Sequence, residues 1–511
     1  MQTGMDRALG PTEDADRLAA AIIAGFLVAR LFFAYLLGPG IDESYTLAIA
    51  RNLSLSYFDH PPLHQWIAHF AALALGEGVA ARLPFIVLFA ATGWILYRLT
   101  RDLFGPHAAT IALFSLNVAP FFFASAGTWV VPDGPLLFGL AIAAWALSRL
   151  FFLTSPDRSP VWGLWLRAGV GLGLAGLSKY SAVLSVAGLA AFVLMAPKQR
   201  RWLGHPAPYV AAAVALAMTA PVFIWNAQHG WASFQFQGAR GAPGGGFRPI
   251  QVLAMALGEI AYLLPWIFAP LVAGLAVAWR RRSDERRLFL LCLALPPIVV
   301  FTITPLWGAR GLPQWTMSGW FFAFPLMGAW LDERAIDIRI LRRWAVISAG
   351  ALAAVAAVVV AQSSTGWLTR LAPIQRGVAD PTLEALDWRG LREAPAFDPR
   401  PALVVSAKWS DAGKIALALG PDIPVFVISG DPRGWAFVRD GGALLGRDGV
   451  LVARTADLPA ALAAAGPAFQ SVGAPQSWTL TRNGYREVEL SLAPVKGLTR
   501  VLPIPYPVAP H

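Results

Sequence analysis

The sequence predicts a polytopic α-helical membrane protein with a small α/β domain after its last span. Three observations lead there. Of 511 residues, 56% are hydrophobic and only 14% charged, with a mean hydropathy of +0.55. The apolar residues fall in runs of about twenty, the length a helix needs to cross a bilayer. Beyond residue 362 these runs give way to short apolar segments separated by turn residues, the pattern of strands rather than spans.

Taken in order, residues 1–18 form a polar tail of mixed charge, read as cytoplasmic. Spans are expected at 19–37, 80–99, 108–125, 135–153, 167–178, 181–196, 207–224, 252–279, 288–304, 314–331 and 343–362, about eleven in all, within a membrane domain of 19–362. The first lacks a small-residue cleavage site and reads as a retained anchor. With the N-terminus inside, the cytoplasmic turns collect Arg98 and Arg101, then Lys198, Arg200 and Arg201, then Arg280, Arg281, Arg282, Arg286 and Arg287. The longer outer loops hold few cations, and this asymmetry sets the orientation. It also accounts for the net charge of +11 without a nucleic-acid partner. Cys292 is the single cysteine and can form no intrachain disulfide. The fifth and sixth spans are short, and either tilt or meet at Lys179 below the outer surface.

Two outer loops carry structure of their own. In 38–79, Leu63, Trp66, Ile67 and Phe70 recur at helical spacing behind Pro61 and Pro62, as in an interfacial amphipathic helix. In 226–250, the run Gly-Ala-Pro-Gly-Gly-Gly reads as a hinge or lid. A linker at 363–398 leads to a domain at 399–511. There Ala402–Val405, Val425–Ile428 and Gly449–Val452 read as strands, a helix spans 410–419, and Trp478–Leu492 alternates like an antiparallel pair.

The candidate chemistry gathers on the outer side. Asp42 and Glu43 follow the first span. Adjacent carboxylates cannot share one direction on a helix, so Asp42 is expected in the site with Glu43 supporting it. Asp59-His60-Pro61-Pro62 is stiffened by its double proline and sits at a helix entrance, where an anion such as phosphate is favoured. The same Asp59 and His60 could instead ligate a divalent metal, the only cofactor the sequence suggests. Asp133, in a Pro/Gly turn, faces the same side. Lys179, with Tyr180 beside it, interrupts an apolar stretch and suits a phosphate as a point charge. Arg310, in a loop with Trp307 and Trp315, could neutralise a leaving phosphate.

Four motifs together resemble bacterial glycosyltransferases of the GT-C type: the Asp-Glu after the first span, Tyr-Phe-Asp-His-Pro-Pro-Leu (57–63), Pro-Asp-Gly-Pro-Leu-Leu-Phe (132–138) and Gly-Leu-Ser-Lys-Tyr-Ser-Ala-Val-Leu (176–184). The dolichyl-phosphate-mannose-protein mannosyltransferase-like and aminoarabinose-transferase-like enzymes are the nearest in pattern, over roughly residues 19–340. The resemblance implies an inverting transfer from a polyprenyl-phosphate-linked sugar to a hydroxyl of a glycolipid, polysaccharide or protein, on the periplasmic face of the inner membrane. It makes Asp42 and Glu43 the catalytic pair and gives donor-phosphate binding to His60, Lys179 and Arg310. Asp59, Asp133 and Tyr180 would then shape the site. Aminoarabinose transferases have Glu-Lys where this chain has Asp59-His60. No Walker-type phosphate loop is present, so a lipid-linked donor suits the chain better than a nucleotide sugar. A transporter or lipid flippase is the competing reading; it would call for two related halves, and none is visible.

Overall fold

Prolines decide where the apolar runs break. A residue before proline is driven to extended backbone, and proline itself cannot continue the preceding hydrogen-bond ladder. Ala119 and Ala196, before Pro120 and Pro197, are extended with ψ of 123° and 104°, and Leu264, before Pro265, leaves the helical region with φ = 67° and ψ = 136°. Three bends result: 82° between Pro106–Val118 and Phe121–Thr128, 108° between Ala182–Met195 and Pro197–Gly204, and 107° between Pro249–Leu263 and Pro265–Arg280. The segment expected as one span over 252–279 is therefore two helices at nearly a right angle. The computed structural model describes residues 11–153, 161–242, 244, 246–309, 311–371, 380–438, 441–500 and 505–506.

Among the described residues, six helices are long and apolar enough to cross a membrane, or nine if each bent pair counts once. Val161–Gly176 and Met317–Glu333, of 16 and 17 residues, correspond to the other two expected spans. They are short for an untilted crossing. Breaking the third run frees backbone carbonyls, and Arg30 of the first helix, α1 (Pro11–Leu36), answers them. Its Nε and Nη2 donate to the carbonyls of Phe123 and Phe122 at 3.2 and 3.3 Å, and its guanidinium lies 4.6 Å over the Phe89 ring.

Small residues set the spacing between helices where apolar lipid gives no drive to associate. A Cβ on Gly171 would lie 2.6 Å from the Gly139 carbonyl oxygen, so the helices Asp133–Phe152 and Val161–Gly176 touch backbone to backbone. That approach brings the N-terminus of one, with Asp133, beside the chain leaving the other, with Lys179.

On the outer side, α2 (Ile41–Ala50) is buried from Glu43 onward. α3 (Leu63–Leu75) has an inverted pattern: His64 and Gln65 are buried, whereas Phe70 and Leu73 are 61% and 72% exposed. Polar groups inward and large apolar groups outward suit a helix at a lipid interface. The first N–H of α3 bonds the Leu177 carbonyl at 2.9 Å, tying the Asp59-His60-Pro61-Pro62 turn to the Lys179 run. Over 226–250, a helix at Ala232–Gly241 covers that turn rather than leaving an open loop.

The C-terminal sheet runs β2-β1-β3-β6-β4, with β5 also on β6. Strands β1 (Leu403–Ser406), β2 (Val425–Val427) and β3 (Gly449–Arg454) are mutually parallel. β4 (Phe469–Val472), β5 (Gln476–Arg482) and β6 (Tyr485–Leu498) pair antiparallel. The helix Trp409–Leu419 crosses from β1 to β2 and lands on α2: a Cβ on Gly413 would sit 2.6 Å from the Tyr45 nitrogen. Tyr45, Ala48 and Ile49 of α2 thereby share one apolar core with Val404, Ile415 and Val450. Leu386, Trp388, Leu391 and Phe397, within the 363–398 stretch, pack into that core too.

Candidate active site

The site is organised around α2, whose two acids face opposite ways. Glu43 points into the protein and is nearly inaccessible. Its carboxylate accepts from Gly40 N at 3.0 Å, Val130 N at 3.0 Å, Arg82 Nε at 2.8 Å and Arg82 Nη2 at 2.5 Å. The same guanidinium donates to the carbonyls of Ala34, Leu37 and Gly38, closing the end of α1. Burial pushes the Glu43 pKa up, but the charge and hydrogen bonds of Arg82 overcome it and leave the group below its ordinary value.

Asp42 has no hydrogen bond or ion pair with any described residue, and it is exposed. Yet desolvation by surrounding protein is the largest influence on it and raises its pKa, followed by the charges of Asp59, Glu43 and Asp133, with Arg433 opposing. A side chain both accessible and ringed by protein lines a recess rather than an outer surface. Glu384 faces it from the segment before the sheet, where burial and then Asp42 raise its own pKa.

Asp59 closes one side of this recess. Its carboxylate pairs with Arg433 Nη1 at 3.0 Å and accepts from the Tyr45 hydroxyl; its carbonyl accepts from Gln237 Nε2 at 2.5 Å. Lys179 Nζ meets Asp133 Oδ1 at 2.9 Å, both side chains largely buried. His60 is half-buried with an Nδ1 that finds no partner, and its ring centroid is 5.8 Å from that of His64. Burial, then neighbouring His64, Lys179 and arginines, depress the His60 pKa well below normal; burial takes His64 down to about 3. At neutral pH His60 therefore offers a neutral imidazole, not a cation. Tyr180 stands beside the site with its ring edge-on to Phe234 at 5.3 Å.

Asp42, Asp59, Asp133, Lys179 and His60 are thus brought together. Arg310 lies outside the described residues; its neighbours Ala309 and Gly311 line a recess of about 350 Å³ with Met255, Pro305 and Pro313. Asp59 and His60 do not fit a metal as placed, because Asp59 is committed to Arg433 and Tyr45. Among the described residues no cluster of three or more His, Cys, Asp or Glu side chains is arranged to hold one.

Residues 59–225 match the family model described as dolichyl-phosphate-mannose-protein mannosyltransferase, a stretch that opens on Asp59 and includes Asp133 and Lys179. Most of the structure superposes on ArnT from Cupriavidus metallidurans. For the apo state the TM-score is 0.60 at 17% identity, covering 93% of this chain and 97% of ArnT. For ArnT bound to undecaprenyl phosphate it is 0.61 at 17% identity, covering 94% and 98%. The chain has the GT-C fold of ArnT. Its many apolar helices belong to a multi-pass membrane protein. In sequence it is also similar to the lipid A galacturonosyltransferase RgtD of Rhizobium johnstonii, 26% identical over 311 residues. That match spans 57% of this chain and 60% of RgtD.

Sequence reasoning missed Arg433, Tyr45, Arg82 and Glu384. For Arg433 a signal existed: Asp431-Pro432-Arg433-Gly434 is a turn composition, and Arg433 adopts φ = 54° there. Nothing in that turn names its target, 374 residues away.

Proposed function

We propose that the protein is an inverting glycosyltransferase that moves a sugar from a polyprenyl-phosphate donor to a hydroxyl of a lipid A-type glycolipid, at the periplasmic face of the inner membrane. In this reading the N-terminus is cytoplasmic, residues 19–362 form the membrane domain and residues 399–511 a periplasmic domain. The observation that carries it is Asp42: an accessible carboxylate with a raised pKa, lining a recess of acids and cations on the fold of a protein that binds undecaprenyl phosphate. The lipid A acceptor is suggested by RgtD.

Asp42 takes the proton of the acceptor hydroxyl as its oxygen attacks the anomeric carbon. The bond from that carbon to the donor phosphate breaks, its electron pair leaves with the phosphate, and configuration inverts. A pKa raised from its ordinary value by burial and the neighbouring acids strengthens Asp42 as the base. The leaving phosphate needs cations, and Lys179 can exchange Asp133 for it, with Arg310 a second candidate. His60 contributes as a neutral hydrogen-bonding group, and Glu43 acts by holding α2 in place.

Purified protein in vesicles is tested with lipid A and undecaprenyl phosphate carrying radiolabelled galacturonate, mannose or 4-amino-4-deoxyarabinose. Transfer of one label to lipid A, with release of undecaprenyl phosphate, is expected. Movement of intact donor between leaflets without cleavage would refute the reading and favour a flippase.

A further inference from the structure

The contact between Arg433 and Asp59 joins two parts of the chain that the reaction as described uses separately. Arg433 is held from every side. Its Nε pairs with Asp431 at 3.0 Å, its backbone N–H donates to the Tyr506 hydroxyl at 3.0 Å, and its guanidinium is sandwiched 4.6 Å over Trp409 and 4.9 Å over Phe236. Next to it, Gly434 N donates to the Tyr45 hydroxyl at 2.9 Å, and that hydroxyl donates to Asp59. A Cβ on Gly434 would lie 2.4 Å from the Tyr45 oxygen, so only glycine admits this approach. Asp59 is gripped at both oxygens, by Arg433 on one and Tyr45 on the other.

As a docking device alone this arrangement is poorly chosen. The pair is nearly desolvated, with side chains 13% and 8% exposed, and burying an ion pair returns little or no net stability compared with apolar packing. The helix Trp409–Leu419 already supplies that packing against α2. Arg433 also holds a left-handed backbone that costs a non-glycine residue. What the pair does supply is a fixed position for the carboxylate beside Asp42.

We infer that Arg433 is a positioning residue of the active site: it fixes Asp59 at the wall of the Asp42 recess and places a positive charge there, so that the C-terminal domain completes the catalytic centre. The inference rests on the glycosyltransferase reading. The charged groups facing Asp42 are Glu43 on its own helix, Asp59 before α3, Asp133 with its partner Lys179, Glu384, and Arg433 from the C-terminal domain. Of the groups that act directly on Asp42, Arg433 opposes the protonation the acids favour.

The test is the pH profile of transfer from the undecaprenyl-phosphate sugar that wild type consumes, for wild type, Arg433→Gln and Arg433→Lys, with thermal unfolding measured alongside. For Arg433→Gln the acid limb should move up by about one pH unit, and turnover at pH 7 should fall about 10-fold or more. Arg433→Lys keeps the charge and should bring the limb back towards wild type. A limb unchanged in Arg433→Gln, or one displaced as far in Arg433→Lys, overturns the inference; the lysine arm decides alone if the glutamine variant does not fold. Wild type that consumes no donor refutes the underlying reading instead.

Discussion

The two faces of α2 hold carboxylates one residue apart in opposite surroundings. Glu43 meets four donors and no solvent, and its partner Arg82 also closes the end of α1. Asp42 meets no donor among the described residues, keeps access to solvent, and is surrounded chiefly by other acids. A carboxylate satisfied on every side cannot change protonation without loosening the fold, whereas one left unsatisfied is free to take a proton. The adjacent acids that look equivalent in the sequence therefore divide into an anchor and a candidate base.

The largest effect expected from breaking this contrast falls on the anchor. Glu43→Gln leaves the Arg82 guanidinium buried without a counter-charge and should cost about 3–5 kcal/mol. Thermal unfolding in detergent reads this directly, and a variant melting within a degree or two of wild type would remove Glu43 as the anchor. Next comes the packing that sets the position of the Lys179–Asp133 pair. Gly171→Leu forces apart helices whose backbones are in contact, at a cost of about 1–3 kcal/mol, and should loosen the Lys179–Asp133 pair with them. Transfer and melting temperature should then fall together; loss of neither would show that the small residues do not set this spacing.

A smaller effect, of opposite sign for the two acids, appears in pH dependence. Glu43 has a folded pKa below its unfolded one, so its stabilisation is complete above the unfolded value and is lost as pH falls through the folded one. Asp42 has a folded pKa above its unfolded one, so it opposes folding once ionised and ceases to do so in acid. Asp42→Asn should therefore leave the melting temperature at pH 7 unchanged or raise it slightly, and lose even that benefit in acid. Activity should decline on acidification at a pH above the ordinary aspartate value, and an acid limb at or below that value would contradict the raised pKa.

Much of this was legible in the chain. The apolar runs, the double proline after His60 and the strands at 403–406, 425–427 and 449–454 all follow from local pattern. The breaks at Pro120, Pro197 and Pro265 were also written there, but hydropathy averages across a proline and hides the bend. β4 escaped because four residues, only one of them deeply buried, show no clear alternation. In α3 the buried face is polar and the exposed one apolar for a physical reason: beside a membrane the apolar stripe faces lipid and the polar one faces the protein. Arg433 could not have been placed, because its partner is set by docking of the helix Trp409–Leu419 on α2 rather than by anything near it in sequence.

The division of labour on α2 is tested most directly by measuring sugar release from the undecaprenyl-phosphate donor by Asp42→Asn, with unfolding followed on the same preparation. The variant is expected to stay fully folded while its transfer falls by about 10²–10⁴-fold, the range for loss of a general base. A folded Asp42→Asn that transfers sugar at the wild-type rate would contradict it.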